Sequence, residues 1–342
     1  MNMLPLTLFS QGGNAVMAVL LIAAGILAVT GLLNLCSAKP LYQRFSTAIL
    51  AGIIVLFLAG FFWICWFHWQ IYLKLPLKLP PELISWINGR LAAINRGSDY
   101  AMALYNADVP PRYRIPLWIE NEKYYFWFMS YSVMALLAHL RLQNHRFRAL
   151  LHLFLGAQVV ILYFGANPFR TPLPQFFGEI GPWFGAAQTL TAKAAYFMRL
   201  YPKMVFYYNA EYMWFHPPLL FISYGAITIV FIASVFMLIQ RDLPLEKIGY
   251  SYAKLGFFML TLGMLLGYPW ALKAWGPNWW WDPKICSSLM MWAIFSTYMH
   301  TRLYANKKPM WYFTSFLGII CFLAMIFTFL TSFYFPGEHT FQ

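Results

Sequence analysis

The feature that most limits this chain is a series of eight apolar runs, most close to twenty residues long and nearly free of charge. They cover about 14–36, 46–73, 124–140, 149–165, 217–239, 252–272, 285–301 and 310–335. About twenty residues of α-helix cross the hydrocarbon core of a bilayer. Within that core every backbone polar group must be bonded inside its own segment, so each run is expected to be helical. The fold class is therefore all-α: a polytopic membrane helix bundle of about eight transmembrane helices. Composition agrees, since the chain is 61% hydrophobic and only 10% charged, against roughly 25% charged in a soluble domain. The first run has neither a basic segment before it nor a small-residue cleavage site, so it reads as a retained helix rather than a removed signal.

The formal net charge is +13. In a soluble protein this would suggest nucleic acid. Here the basic residues sit mostly in loops between apolar runs, which points to orientation and anionic lipid, not to nucleic acid. Four short loops are basic: Lys39 and Arg44; Arg141, Arg146 and Arg148; Arg241, Lys247 and Lys254; Arg302, Lys307 and Lys308. They fall on one side, which the positive-inside rule makes cytoplasmic. A bacterial-type inner (cytoplasmic) membrane is expected, crossed many times. The external side then receives both termini, two long loops (about 74–123 and 166–216) and a tryptophan-rich loop, 273–284. The whole of 1–342 reads as one transmembrane domain. Apolar residues near helical spacing predict amphipathic helices lying on the outer surface within 80–106 and 183–205. Cys36, Cys65, Cys286 and Cys321 lie in or at the ends of apolar runs without a CxxC, so neither a disulfide framework nor a zinc site is expected. No nucleophile–base pair, phosphate loop or HExxH motif stands out.

Between the sixth and seventh runs lies Trp275-Gly276-Pro277-Asn278-Trp279-Trp280-Trp281-Asp282-Pro283-Lys284. Tryptophan settles at membrane–water boundaries, but four of them beside a glycine and two prolines describe a folded aromatic platform suited to a large, flat, apolar ligand. Imidazole is the usual axial ligand of haem iron. His216 opens the fifth run and His339 follows the eighth, both on the side of the platform, so a planar macrocycle could lie on the tryptophans with a histidine above and below. His139 and His300 each precede an arginine by two residues at inner ends of runs, which places them at similar depth for a second such site. The plainer alternative for each is an interfacial anchor or a packed polar residue. His145 fits a basic turn; His68 and His152 fit packed or interfacial positions. Asp282 reads either as the cap of a helix opening at Pro283 or as a residue shaping the pocket. Arg170, Lys193, Arg199, Lys203, Lys273 and Lys284 are candidates to pair with haem propionates, or else face solvent and headgroups.

The tryptophan segment resembles the WGxxWxWDP signature of the haem-handling proteins of cytochrome c maturation, which include CcmF, NrfE, CcsA and CcmC. His216-Pro217-Pro218-Leu219-Leu220-Phe221-Ile222-Ser223-Tyr224 is similar to the HPPxLxxGY segment of CcmF, and Asn167-Pro168-Phe169 to the Asn-Pro upstream of it. The pattern is closest to CcmF and the length to CcsA. The resemblance implies a haem lyase subunit that binds haem b and presents it to the CxxCH thiols of an apocytochrome c. It implies haem-iron ligation by His216 and His339 and a transmembrane histidine at His300. Trp275, Trp279, Trp280, Trp281 and Asp282 would form the cradle. His139 is proposed on depth alone. A membrane partner similar to CcsB or to the apocytochrome chaperones is also implied, alongside the lipid bilayer. The sequence departs from the family pattern at Ile285, where glutamate is usual, and at Ser223, where glycine is common. A haem transporter or relay and a structural subunit stay open beside the lyase reading.

Overall fold

Every apolar run folds as helix. The computed structural model describes residues 4–36, 40–98, 100–185 and 189–338. Their helices are α1 (Leu6–Cys36), α2 (Pro40–Lys74), α3 (Pro81–Arg96), α4 (Glu122–Arg141), α5 (His145–Gly165), α6 (Pro174–Phe184), α7 (Leu190–Lys203), α8 (Tyr212–Ile239), α9 (Leu243–Trp275), α10 (Pro283–Thr301) and α11 (Lys308–Tyr334). Among the described residues, six helices are long and apolar enough to cross a membrane: α1, α2, α5, α8, α9 and α11. The protein is a multi-pass membrane protein with an all-α bundle. The expected count of eight is met as helices, but not as apolar spans. α4 carries Glu122, Lys123, His139 and Arg141, and α10 carries Ser287, Ser288, Ser296 and Thr297, which dilutes their hydropathy.

The bundle is arranged around α4. On one side α1 packs on α5 and α2; on the other, α8 packs on α9 and α11, and α10 on α11; α4 touches α2, α5 and α8. Within a bilayer, small residues permit close helix approach and so add dispersion contact. α9 supplies Gly249, Gly256 and Gly263 at intervals of seven. A β-carbon on the first two would meet the Cβ atoms of Ala233 and Ala226 at 3.1 Å, and one on Gly263 would meet Leu220 at 2.8 Å. Hydrogen bonds from side chains to backbone carbonyls lock the crossings: Ser223 Oγ to Gly256 (2.8 Å), Tyr252 Oη to Met134 (2.8 Å) and Trp311 Nε1 to Met237 (2.8 Å).

One end of the bundle carries a cap of non-spanning helices. α3 is the amphipathic helix expected within 80–106; it buries Leu83, Ile87 and Leu91 at four-residue spacing. α7 answers the expectation for 183–205 and buries Ala194, Phe197, Leu200 and Tyr201. α6 was not expected, because its short sequence carries two glycines and an internal proline. Its first amides are held by a distant carboxylate, with Glu120 accepting from the N–H groups of Gln175 (3.0 Å) and Phe176 (2.9 Å). A five-residue π-helical turn, Met204–Tyr208, joins α7 to the approach to α8. Asn209 then ties the cap together: its Oδ1 accepts from the Arg114 amide (2.7 Å) and its Nδ2 donates to the Arg112 carbonyl (2.9 Å).

Candidate functional site

The tryptophan segment is a turn between two long helices. α9 runs on through Trp275 and stops at Gly276, whose φ of +76° is open to glycine at little cost. Trp279–Trp281 form one 3-10 turn, and Asp282 caps α10, its Oδ1 accepting from the amides of Lys284 (3.0 Å) and Ile285 (3.2 Å) with Pro283 at the first helical position. The capping role read from the sequence is therefore present. The tail after α11 crosses this cap, since a β-carbon on Gly337 would lie 2.6 Å from Asp282 Oδ2. His339 lies outside the described residues.

The four indoles are not equivalent. Trp279 is 7% exposed, Trp280 47% and Trp281 83%. Trp279 and Trp280 stack with ring centroids 4.2 Å apart, and Tyr268 of α9 meets Trp279 edge-on at 5.4 Å. Trp275 instead meets Trp270 edge-on at 4.6 Å. Thus the turn shows two partly or wholly exposed rings outward over a buried ring. The buried indole nitrogen of Trp279 has no hydrogen-bond partner among the described residues. Next to the turn, the Cys286 thiol is exposed and donates to the Trp280 carbonyl at 3.2 Å.

His216 sits in the first turns of α8, just before Pro217 and Pro218. Pro217 cannot donate to the Met213 carbonyl, and the indole of Trp118 does so in its place at 2.6 Å. The imidazole enters α9 at Gly267 and lies 6.5 Å from the Trp270 ring at an interplanar angle of 23°. Its Nδ1 is 2.7 Å from the Gly263 carbonyl oxygen. That oxygen only accepts, so in the neutral ring Nδ1 bears the proton and the lone pair lies on Nε2. A backbone carbonyl fixing the tautomer in this way is the usual outer support of a metal-binding histidine. His216, Trp270 and Trp275 thus form a continuous series of rings at the end of α9. Gly263, Gly267 and Trp270 were missed as site residues. The seven-residue spacing of Gly249, Gly256 and Gly263 was a signal for Gly263 alone; Gly267 falls off it by three residues.

At the other end of the bundle the structure makes a different pair from the one expected. His139 and His152 lie with Nδ1 and Nε2 3.1 Å apart and their rings stacked, both buried. His139 Nε2 is 2.8 Å from Thr47 Oγ1, whose own hydrogen is given to the Gln43 carbonyl at 2.8 Å. Thr47 therefore accepts from His139, and His139 accepts from His152. Arg148 closes the cluster by donating from Nε to the carbonyls of His139 and Leu142, both at 2.8 Å. His300, by contrast, is exposed at the end of α10, a helix that packs chiefly on α11. His68 is packed as expected, its Nδ1 3.0 Å from the Ile115 carbonyl. His152 matches its packed reading too.

The basic candidates near the cap are mostly engaged. Lys203 pairs with Glu179, which also accepts from Tyr208 Oη at 3.1 Å. Arg170 lies over Tyr163 and Arg199 over Tyr196. Lys273 lies over Tyr100 and Phe206, and Lys284 over Phe329. These last two flank the tryptophan turn, one at each helix end. Lys193 lines a separate cavity.

Comparison with known proteins covers most of the chain. Residues 118–339 match the family described as cytochrome C assembly protein. The chain is 40% identical over 84 residues to the cytochrome c biogenesis protein CcsA of Cyanidium caldarium, a stretch that is 23% of this chain and 28% of that protein. Against CcsA of Chlamydomonas reinhardtii it is 31% identical over 138 residues, 36% of this chain and 38% of that one. Against CcsA of Glycine max it is 47% identical over 64 residues, 19% of each. The matched stretches thus span well under half of these relatives. The solved cytochrome c haem lyase CcmF shares the fold, with a TM-score of 0.60 and 17% identity, covering 94% of this chain and 47% of that one. With a tryptophan turn between α9 and α10, a seated histidine on α8 and a family match that runs from Trp118 to the chain's last histidine, this chain belongs to the cytochrome c assembly protein family.

Proposed function

We propose that this chain is a single transmembrane haem-handling domain that binds haem b against Trp275, Trp279, Trp280, Trp281 and Asp282, between His216 and His339, as a subunit of a haem lyase. The observation that carries the reading is the His216–Gly263 hydrogen bond, which leaves the imidazole lone pair on the nitrogen that a haem iron requires. The stacked indoles of Trp279 and Trp280 suit a flat macrocycle, and Lys273 and Lys284, at the helix ends on either side of the turn, would be the candidates to pair with its carboxylates. When bound, haem supplies two vinyl groups, and each thiol S–H of an apocytochrome CxxCH adds across one of them, so no oxidant is needed. The chain's own residues hold and orient, which is a sufficient catalytic contribution when two reactants must meet in one geometry. The relatives named CcsA support the cytochrome c setting. An apocytochrome c and a membrane partner similar to CcsB or to the apocytochrome chaperones complete the proposal. The site faces the external side of a bacterial-type inner membrane, opposite the basic loops.

His139 and His300 enter the proposal as an inner haem-iron pair on depth. Between them His300 is favoured, because its ring is exposed, whereas Thr47 and His152 engage both nitrogens of His139. The test is the visible spectrum of the purified protein. Haem should copurify and be lost in His216→Ala and His339→Ala, with cytochrome c assembly lost in parallel. Unchanged haem and assembly in both variants would defeat the proposal.

A further inference from the structure

A second feature lies away from the tryptophan turn, where α2 leaves its apolar run. A cavity of about 750 Å3 opens there, with Lys74, Lys78, Arg112 and Lys193 among its lining residues and Trp183 and Phe184 forming an aromatic wall. Among the described residues no carboxylate lines it. Arg112 is engaged by the end of α2: its Nη1 lies 3.4 Å from the carbonyls of Tyr72 and Leu73, and its guanidinium lies over the Tyr72 ring. Among the described residues none of the three lysines is in an ion pair. Three uncompensated cations around one concavity raise the local concentration of anions.

What leads into the cavity narrows the ligand. Val55, Leu58, Phe62, Trp69 and Leu73 are all exposed. Their spacing of three, four, seven and four residues puts them on one face of α2. This apolar stripe runs along a membrane-crossing helix and ends at Leu73, which is itself part of the cavity wall. A free anion needs no such stripe. A molecule with an anionic head and long apolar chains matches both parts. We propose that the cavity binds the headgroup of an anionic phospholipid whose acyl chains lie along α2.

The test uses the full chain in neutral detergent, with phosphatidylglycerol and phosphatidylcholine as probes and native mass spectrometry as the readout. The wild-type protein should retain phosphatidylglycerol in preference to phosphatidylcholine. The triple variant Lys74→Gln, Lys78→Gln, Lys193→Gln should lose that preference by about tenfold or more, given how strongly each basic side chain draws anionic lipid. The corresponding triple arginine variant keeps the charge and should keep the preference, which guards against misfolding as the cause. An unchanged preference in the glutamine variant overturns the proposal. So does displacement of phosphatidylglycerol by inorganic phosphate at equal concentration, which would make the cavity a free-phosphate site.

Discussion

A β-carbon on Gly267 would stand 2.6 Å from Cε1 of His216 and 2.7 Å from its Nδ1. The imidazole thus occupies the room that α9 leaves by lacking a side chain at that position. Gly267→Ala should move the ring off the Gly263 carbonyl and cost about 1–3 kcal/mol of stability by overpacking, more than the gain in helix propensity of about 1 kcal/mol. A lowered melting temperature together with loss of copurified haem is expected. Haem retained in full would show that the seat of His216 is unrelated to binding.

Asp282 offers a clean separation of cap from charge. Asparagine accepts amide hydrogen bonds at a helix start as well as aspartate does. Asp282→Asn should therefore keep cytochrome c assembly near the wild-type level, while Asp282→Ala should lose about 1 kcal/mol of stability and reduce assembly. If asparagine is as damaging as alanine in a complementation assay, the carboxylate charge itself is needed.

The buried pair at the opposite end should behave as one structural unit. His139→Ala or His152→Ala leaves polar atoms buried without partners, at about 1–3 kcal/mol each. The double variant should cost less than the two singles together, with a coupling on the order of 0.5–3 kcal/mol. Thermal denaturation of the four proteins measures this. Haem content should be unchanged by His152→Ala.

Glu120 sets a pH dependence in the cap. It is buried, and that burial pushes its carboxyl above the usual carboxylate range, against the two α6 amides that favour the charged form. The folded state then holds the proton more tightly than the unfolded state. This contribution is fully present below the ordinary carboxylate pKa and is lost as pH rises through the higher folded value. Glu120→Gln should flatten the stability profile across that window. An unchanged slope in urea melts taken at a series of pH values would remove Glu120 as the cause.

The spans were legible because a bilayer permits so few solutions for a long apolar run. Their ends were less so. α1 begins at Leu6, eight residues before its apolar run, because Ser10 and Gln11 interrupt hydrophobicity without interrupting helix. The Asp282–Pro283 cap could be read directly, since both residues act on their immediate neighbours. His139 could not. Depth along α4 says nothing about what faces it, and the turn at 142–144 brings in His152 from α5. Nor was the seat of His216 visible in its own segment, because it is built by glycines some fifty residues away on α9. Ser223, where a glycine is common in the related segment, turns out to join α8 to α9 through the Gly256 carbonyl.

Cys286 gives the tryptophan turn a chemical reporter of its own. Its sulfur is exposed and hydrogen-bonded to Trp280, while Cys321 is buried and Cys65 is half-buried on a membrane-crossing helix. With Cys36 replaced, a membrane-impermeant maleimide has one accessible target. Its rate of alkylation then reads whether the turn is covered or bare, in intact cells and without an optical signal. Because the label adds from one aqueous compartment only, the same measurement reports which side of the membrane the turn faces.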